Sequence, residues 1–248
     1  MQRPANKEND VSMVADVRIE AAIHGTDELR WQTLLAEAPL WAPAEGPLLI
    51  VSPHPDNEVL AAGGLIHTWR AAGRKVTVLS LTDGEAAYAN WNRLARVRRE
   101  ELKAALQILS PSPVLIVRLG IPDGRIAECA ARLRGAIVSL VVPGTTIVAP
   151  YENDGRPDHD AAGRTSAEMA RELGLPMARY PIWTWHHGDP PALSGLPWRR
   201  FSLSAAAQAA KAEAVGCFTS QTSPYRRTPI FPDHIVRYFT RPYETFLI

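Results

Sequence analysis

Apolar positions along the chain fall into short runs, each followed by a stretch of helical spacing. The runs at 47–52, 75–81, 113–118 and 145–150 are continuous and bounded by Pro, Gly or polar residues, which predicts buried strands. Segments 58–73, 90–109, 125–141 and 159–173 carry apolar residues at helical spacing and are predicted helices. Such alternation with short connections implies βαβ units and a parallel sheet with helices on both faces, a Rossmann-like α/β fold. A further strand is expected at 177–185 and an Ala-rich helix at 204–215. The Pro-rich stretch 189–198 and the tail from Ser223 onward are expected to be irregular. Residues 1–45 form an N-terminal extension with a helical pattern around Asp27–Ala38 and no assignable role, which leaves 46–248 as a single α/β domain.

Two of the predicted strands end in chemistry. Leu48–Ser52 runs into His54-Pro55-Asp56-Asn57-Glu58, and Thr146–Pro150 is followed by Arg156-Pro157-Asp158-His159. Open α/β sheets build their sites at the carboxyl ends of strands. If both strands run parallel, His54 and His159 emerge at one sheet edge and can share one ion. Read locally, Asp56 could instead cap the following helix, and His159 could be a solvated helix-start residue.

Composition narrows the partners. The chain has 248 residues, enough for a sizeable core, and a formal charge of +1, which gives no footprint for nucleic acid or an acidic membrane. No apolar run reaches bilayer length and the N-terminus shows no secretory pattern, so a cytoplasmic protein is expected. Cys129 and Cys217 stand alone, without knuckle or disulfide spacing. No Gly-rich phosphate loop follows any strand, which weakens a nucleotide-binding reading. Oligomeric state is left open, a homo-oligomer included.

Together the two motifs resemble the PIG-L/LmbE-like family of zinc-dependent N-deacetylases, whose motifs read His-Pro-Asp-Asp-Glu and His-Pro-Asp-His. Weaker echoes are Thr82-Asp83-Gly84-Glu85, Arg98 with Glu101, Asp123-Gly124, Ser220-Gln221 and Arg241-Pro242-Tyr243-Glu244. The resemblance spans about residues 45–248. It implies removal of an acetyl group from an N-acetylated amino sugar or related metabolite. By this resemblance His54, Asn57 and His159 are metal ligands, Asp56 is the general base, and Arg156 and Asp158 complete the catalytic set. Asp83, Arg98, Asp123 and His186 are expected to touch substrate. Trp183, Trp185 and the neighbouring histidines either wall a sugar pocket or pack the core.

Both motifs depart from the family at one position. Asn57 stands where a carboxylate is expected, and an amide oxygen brings a lone pair without a charge. Zinc is therefore expected to bind weakly or to yield to another divalent ion. Arg156 stands where a histidine is expected. It can face a developing oxyanion but cannot release a proton. Asp56, His186 or His187 must then supply the proton for the departing amine. The alternative is a family member that has lost hydrolysis and binds a small molecule.

Overall fold

A computed structural model of the chain describes residues 24–223 and 229–248. At its centre is a seven-stranded sheet in the order β3-β2-β1-β4-β5-β7-β6. The strands are β1 (Leu48–Ser52), β2 (Val76–Ser80), β3 (Leu115–Arg118), β4 (Thr146–Pro150), β5 (Met177–Tyr180), β6 (Trp198–Ser202) and β7 (Tyr243–Leu247). The first five are parallel, while β7 runs antiparallel to both β5 and β6. β1, β2 and β4 are buried at every position, as continuous apolar runs require of a sheet covered on both faces. Leu48 and Ile50 of β1 face one core and Leu49 and Val51 the other, following the period of two along a strand.

The helices are α1 (Glu28–Leu35), α2 (Asn57–Ala71), α3 (Leu94–Leu109), α4 (Ala130–Leu140), α5 (Pro157–Leu173), α6 (Thr184–His187), α7 (Ala205–Val215), α8 (Thr219–Thr222) and α9 (Asp233–Val236). α2, α3 and α7 pack together over the larger core, and α4 and α5 pair on the opposite face. Among the described residues no helix is long and apolar enough to cross a membrane.

Inside α2 the helical path breaks at Ala62 (φ −135°, ψ 18°). The break leaves N–H groups of the following turn without helical acceptors. Glu244 of β7 accepts from Gly64 N at 2.7 Å and Leu65 N at 2.9 Å, and Lys211 of α7 pairs with it at 2.8 Å. Burial pushes the Lys211 ammonium below its ordinary range, and the Glu244 charge opposes that shift. The Arg-Pro-Tyr-Glu echo in the sequence is thus a buried cap for a broken helix.

Several expectations change. Strand β5 stops at Tyr180, because Pro181 ends pairing and Ile182, Trp183 and Thr184 turn their N–H groups toward Asp154. The single strand expected over 177–185 is a strand and the entry to α6. The tail is more regular than its Pro and aromatic content suggests: β7 inserts between β5 and β6, with Phe246 fully buried. Its first residues, 224–228, lie outside the described residues. In the N-terminal extension, Trp31 and Leu35 are fully buried in the larger core and Trp41 packs against it. Residues 1–23 lie outside the described residues.

Candidate metal centre and its cavity

The order of the strands reverses between β1 and β4, so their following loops diverge and leave a crevice at the carboxyl edge. His54 enters it from β1 and His159 from the first turn of α5. His54 Nδ1 lies 3.2 Å from His159 Nε2. Each ring has a carboxylate behind it. Asp123 Oδ1 is 2.9 Å and Asp158 Oδ2 3.4 Å from His54 Nε2, and Asp154 Oδ2 is 2.8 Å from His159 Nδ1.

These carboxylates are themselves anchored. Asp158 accepts from Gly124 N at 2.8 Å and Ile126 N at 3.0 Å, which pins the turn that carries Asp123. Asp123 accepts from Ala86 N at 3.1 Å. Asp154 is fully buried and accepts from Ile182 N, Trp183 N, Thr184 N and Thr184 Oγ1 besides His159. Burial alone would raise the Asp154 carboxyl; His159 and the N–H groups of Trp183 and Thr184 outweigh burial and hold it below the ordinary range. At Asp123 burial again pushes up, and His54, Arg98 and Ala86 N together pull it below that range. Burial opposes charge on His54, yet Asp123 and then Asp158 overcome it and raise the imidazole to about 10.

Asp56 is buried at the start of α2 but makes no side-chain cap, so the simple helix-cap reading fails. Its Oδ2 pairs with Arg98 Nη2 at 2.7 Å and its Oδ1 accepts from Asn57 Nδ2 at 2.9 Å. Asn57 Oδ1 accepts from His54 N at 3.2 Å. The Asn57 amide is thus a clasp between the His54 turn and Asp56, with one lone pair of Oδ1 left over. Arg98 also donates to Gly84 O at 3.0 Å. Gly84 has φ +61°, and a Cβ there would fall 1.9 Å from Arg98 Nη1, so the turn needs glycine on both counts.

His54, Asp56, Asn57, Arg98, Asp123, Arg156, Asp158 and His159 all line one cavity of about 130 Å³. Trp183, Ile230, Phe231, Ala86 and Ala87 supply an apolar wall. Arg156 stacks over Trp183 with Cζ 4.5 Å from the ring centroid, and Trp183 stacks on Phe231 at 5.5 Å.

Two expected substrate contacts lie elsewhere. Asp83 gives both oxygens to Arg99 and Arg118, and it does not line the cavity. His186 is buried behind Trp183, whose ring it meets edge-on at 6.2 Å, and Trp183 takes the cavity-lining position. Asp123 lines the cavity but spends Oδ1 on His54. Arg98 is buried against Asp56, and Glu101 bonds Ser220 and Thr219. Asp154, the carboxylate behind His159, was missed. The available signal was an Asp five residues before a motif histidine, in the loop after a buried strand.

The facing histidines fit a divalent ion. Two ligands on zinc at about 2.0–2.1 Å in tetrahedral geometry stand about 3.3 Å apart, close to the 3.2 Å between these nitrogens. A carboxylate on the far nitrogen of each ring fixes the near nitrogen toward the ion, as in other carboxylate–histidine–metal arrangements. A second grouping able to hold a divalent metal uses the opposite edge of the same ring: His54, Asp123 and Asp158 bring ligand atoms within 4.8 Å of one another.

Comparison with known proteins agrees with this architecture. The family profile "PIG-L: GlcNAc-PI de-N-acetylase" matches residues 49–170. The chain is 31% identical over 146 residues to a probable N-acetyl-alpha-D-glucosaminyl L-malate deacetylase 2 of Bacillus cereus, covering 54% of this chain and 64% of the relative. It is 42% identical over 178 residues to a 1D-myo-inositol 2-acetamido-2-deoxy-alpha-D-glucopyranoside deacetylase of Nocardia farcinica, covering 59% of each. The chain therefore spans less than two thirds of the length of these relatives. The fold matches N,N'-diacetylchitobiose deacetylase from Pyrococcus horikoshii with a TM-score of 0.57 at 18% identity, covering 96% of this chain and 84% of that one. Over residues 49–170 the chain matches the PIG-L profile, and it is similar to the deacetylases of the PIG-L/LmbE-like family.

Proposed function

We propose that this chain is a metal-dependent hydrolase that removes the acetyl group from an N-acetylated amino sugar or a related small metabolite. The observation that carries the reading is the pair of imidazoles facing each other at 3.2 Å, each backed by a carboxylate, on the floor of a cavity that also holds Asp56. His54 and His159 would hold the ion, zinc by the family's chemistry, with the spare lone pair of Asn57 Oδ1 available as a third donor. Asp123, Asp158 and Asp154 supply through the rings the negative charge that Asn57 does not supply directly. When bound, the ion contributes Lewis acidity toward water and toward the amide carbonyl.

The chain's own groups do the rest. Asp56 accepts a proton from the attacking water, whose oxygen adds to the carbonyl carbon. Arg156, a permanent cation lining the cavity, faces the negative charge that develops on the carbonyl oxygen. As the carbon–nitrogen bond breaks, Asp56 returns the proton to the departing nitrogen, leaving a free amine and acetic acid, whose proton is released as it ionises to acetate. Arg98 keeps Asp56 in place throughout, and Arg156 needs no proton to give.

The test is Asp56→Asn, which preserves shape and removes the base. Metal content should stay near that of the parent, and turnover of N-acetylglucosaminyl compounds should fall by about 10²–10⁴-fold. Retained turnover would remove Asp56 from the role. A parent chain that binds metal and turns over no N-acetylated compound would return the binding-protein reading.

A further inference from the structure

The wall of the cavity is held from two sides. On the inner side Asp154 accepts the N–H groups of residues 182–184. On the outer side the N-terminal segment takes the other end of α6. Thr26 N donates to His186 O at 2.8 Å, Thr26 Oγ1 to Gly188 O at 2.6 Å, and Trp31 Nε1 to Trp185 O at 2.8 Å. These carbonyls end a one-turn helix, where no intrahelical donor remains to satisfy them. A helix of four residues has little stability of its own, so outside anchors decide where it lies.

The segment is itself tied down. Tyr238 Oη donates to Thr26 O at 2.6 Å, and Arg241 makes two 2.7 Å bonds to Glu28 while its Cζ lies 4.3 Å above Trp185. Trp31 meets Trp185 edge-on at 4.9 Å. The link to the cavity runs through His186, which donates its backbone N–H to Trp183 O at 2.9 Å and sets its ring edge-on to Trp183. Gly25 presses directly on His186. A Cβ at Gly25 would fall 2.2 Å from His186 Nδ1 and 2.7 Å from its carbonyl oxygen. Neither residues 25–31 nor residues 183–188 belong to the family-matched stretch 49–170.

We propose that residues 25–31 are a strap that positions Trp183, so that the N-terminal segment sets how tightly the cavity holds its substrate. The positioning residues are Gly25, Thr26 and Trp31. None of them lines the cavity. Only the kinetic consequence rests on the deacetylase reading; the placement of Trp183 does not.

The experiment labels the full chain with 5-fluorotryptophan and assigns the Trp183 ¹⁹F resonance by its loss in Trp183→Phe. Gly25→Ala, a one-methyl wedge against His186, should move or broaden that resonance. It should raise KM for an N-acetylglucosaminyl substrate about fivefold or more, with kcat and bound metal within about twofold of the parent. Thr26→Val, which keeps the shape and the backbone bond but loses the bond to Gly188 O, should shift both in the same direction by less. An unmoved Trp183 resonance in Gly25→Ala overturns the strap even in a chain that shows no turnover. A moved resonance with unchanged KM in an active chain overturns it as well, since Trp183 would then move without consequence. A fall in kcat together with loss of metal in Gly25→Ala would also overturn it, because the effect would then have reached the floor of the cavity.

Discussion

The floor and the wall of the cavity are built in different ways. The floor is polar and local in origin: His54, Asp56 and Asn57 follow β1, and Arg156, Asp158 and His159 follow β4, all within residues 49–170. Its geometry is set by charged hydrogen bonds, with a carboxylate on each imidazole. The wall is apolar, and Trp183, Ile230 and Phe231 come from parts of the chain beyond that stretch. Aromatic stacking and bonds to backbone carbonyls place it. A floor of this kind fixes which chemistry is available, and a wall of this kind fixes what fits beside it. Substitutions in the two should therefore separate metal binding and turnover from substrate affinity.

The sharpest form of that comparison sets His159→Ala against Trp183→Ala. Removing His159 deletes one of the two facing imidazoles proposed to hold the ion and leaves buried Asp154 without its imidazole partner. Bound metal should be lost, and turnover should fall by about 10³-fold or more. Trp183→Ala should keep its metal and lose affinity for substrate instead, because stacking surface is removed and no ligand is touched. Elemental analysis of both variants, beside kcat and KM, reads the difference. Metal retained at one equivalent in His159→Ala would place the ion on the other edge of His54, with Asp123 and Asp158.

Asp154 belongs to both halves and can break the comparison. Its Oδ2 accepts from His159 Nδ1 and from Trp183 N, at 2.8 and 3.0 Å. In Asp154→Asn one set of donors, His159 Nδ1 with Trp183 N on Oδ2 or Ile182 N with Thr184 N on Oδ1, must meet an amide NH₂ or lose its partner. If it is the first set, the His159 ring adopts the tautomer with its proton on Nε2, the nitrogen that faces His54. Metal affinity should fall about 10–100-fold, as for other losses of a ligand's orienting partner. KM should rise with it, since Trp183 loses its anchor. A zinc titration in competition with a chelator measures the first effect and steady-state kinetics the second. A change in only one of the two would show that the halves are independent.

How far the site could be read from sequence follows the same division. The floor was legible because His and Asp at the carboxyl end of an apolar run are unusual locally, and the Pro at each motif fixes how they leave the strand. The orienting carboxylates were legible only in part: Asp158 stands in the second motif, but the role of Asp123 depends on a pairing between distant loops, 69 positions from His54. Asp83 looked suited to a substrate hydroxyl only until Arg99 and Arg118, one on a helix and one on the edge strand, were seen to claim it. On the wall side, Met177–Trp185 has a strand-like composition throughout, and only Pro181 and the remote Asp154 divide it. β7 was hidden for a related reason. Its five residues follow Pro242 and gain stability from Glu244 reaching the broken α2, a contact that no local pattern announces.

The smallest expected effect tests the feature that most distinguishes this floor from the family motif. Asn57 clasps Asp56 through an N–H donor 2.9 Å from Asp56 Oδ1, so Asn57→Asp replaces an attraction with two buried carboxylates side by side. Without metal that exchange should destabilise the fold, because like charges in a buried site repel and the clasp loses its N–H donor to Asp56. With metal the sign reverses: an anionic donor then stands beside a dication that had only neutral direct ligands. Zinc affinity should rise about tenfold, a gain of about 1.4 kcal/mol, and the metal-free protein should melt at a lower temperature than its parent. Thermal melts with chelator and with excess zinc read both at once, and the two curves should lie further apart in Asn57→Asp than in the parent. Equal separation would mean that residue 57 does not face the ion at all. The charge that holds the metal would then come from Asp123, Asp158 and Asp154 alone, and the departure at Asn57 would be a change in how the turn is held, with no effect on the chemistry.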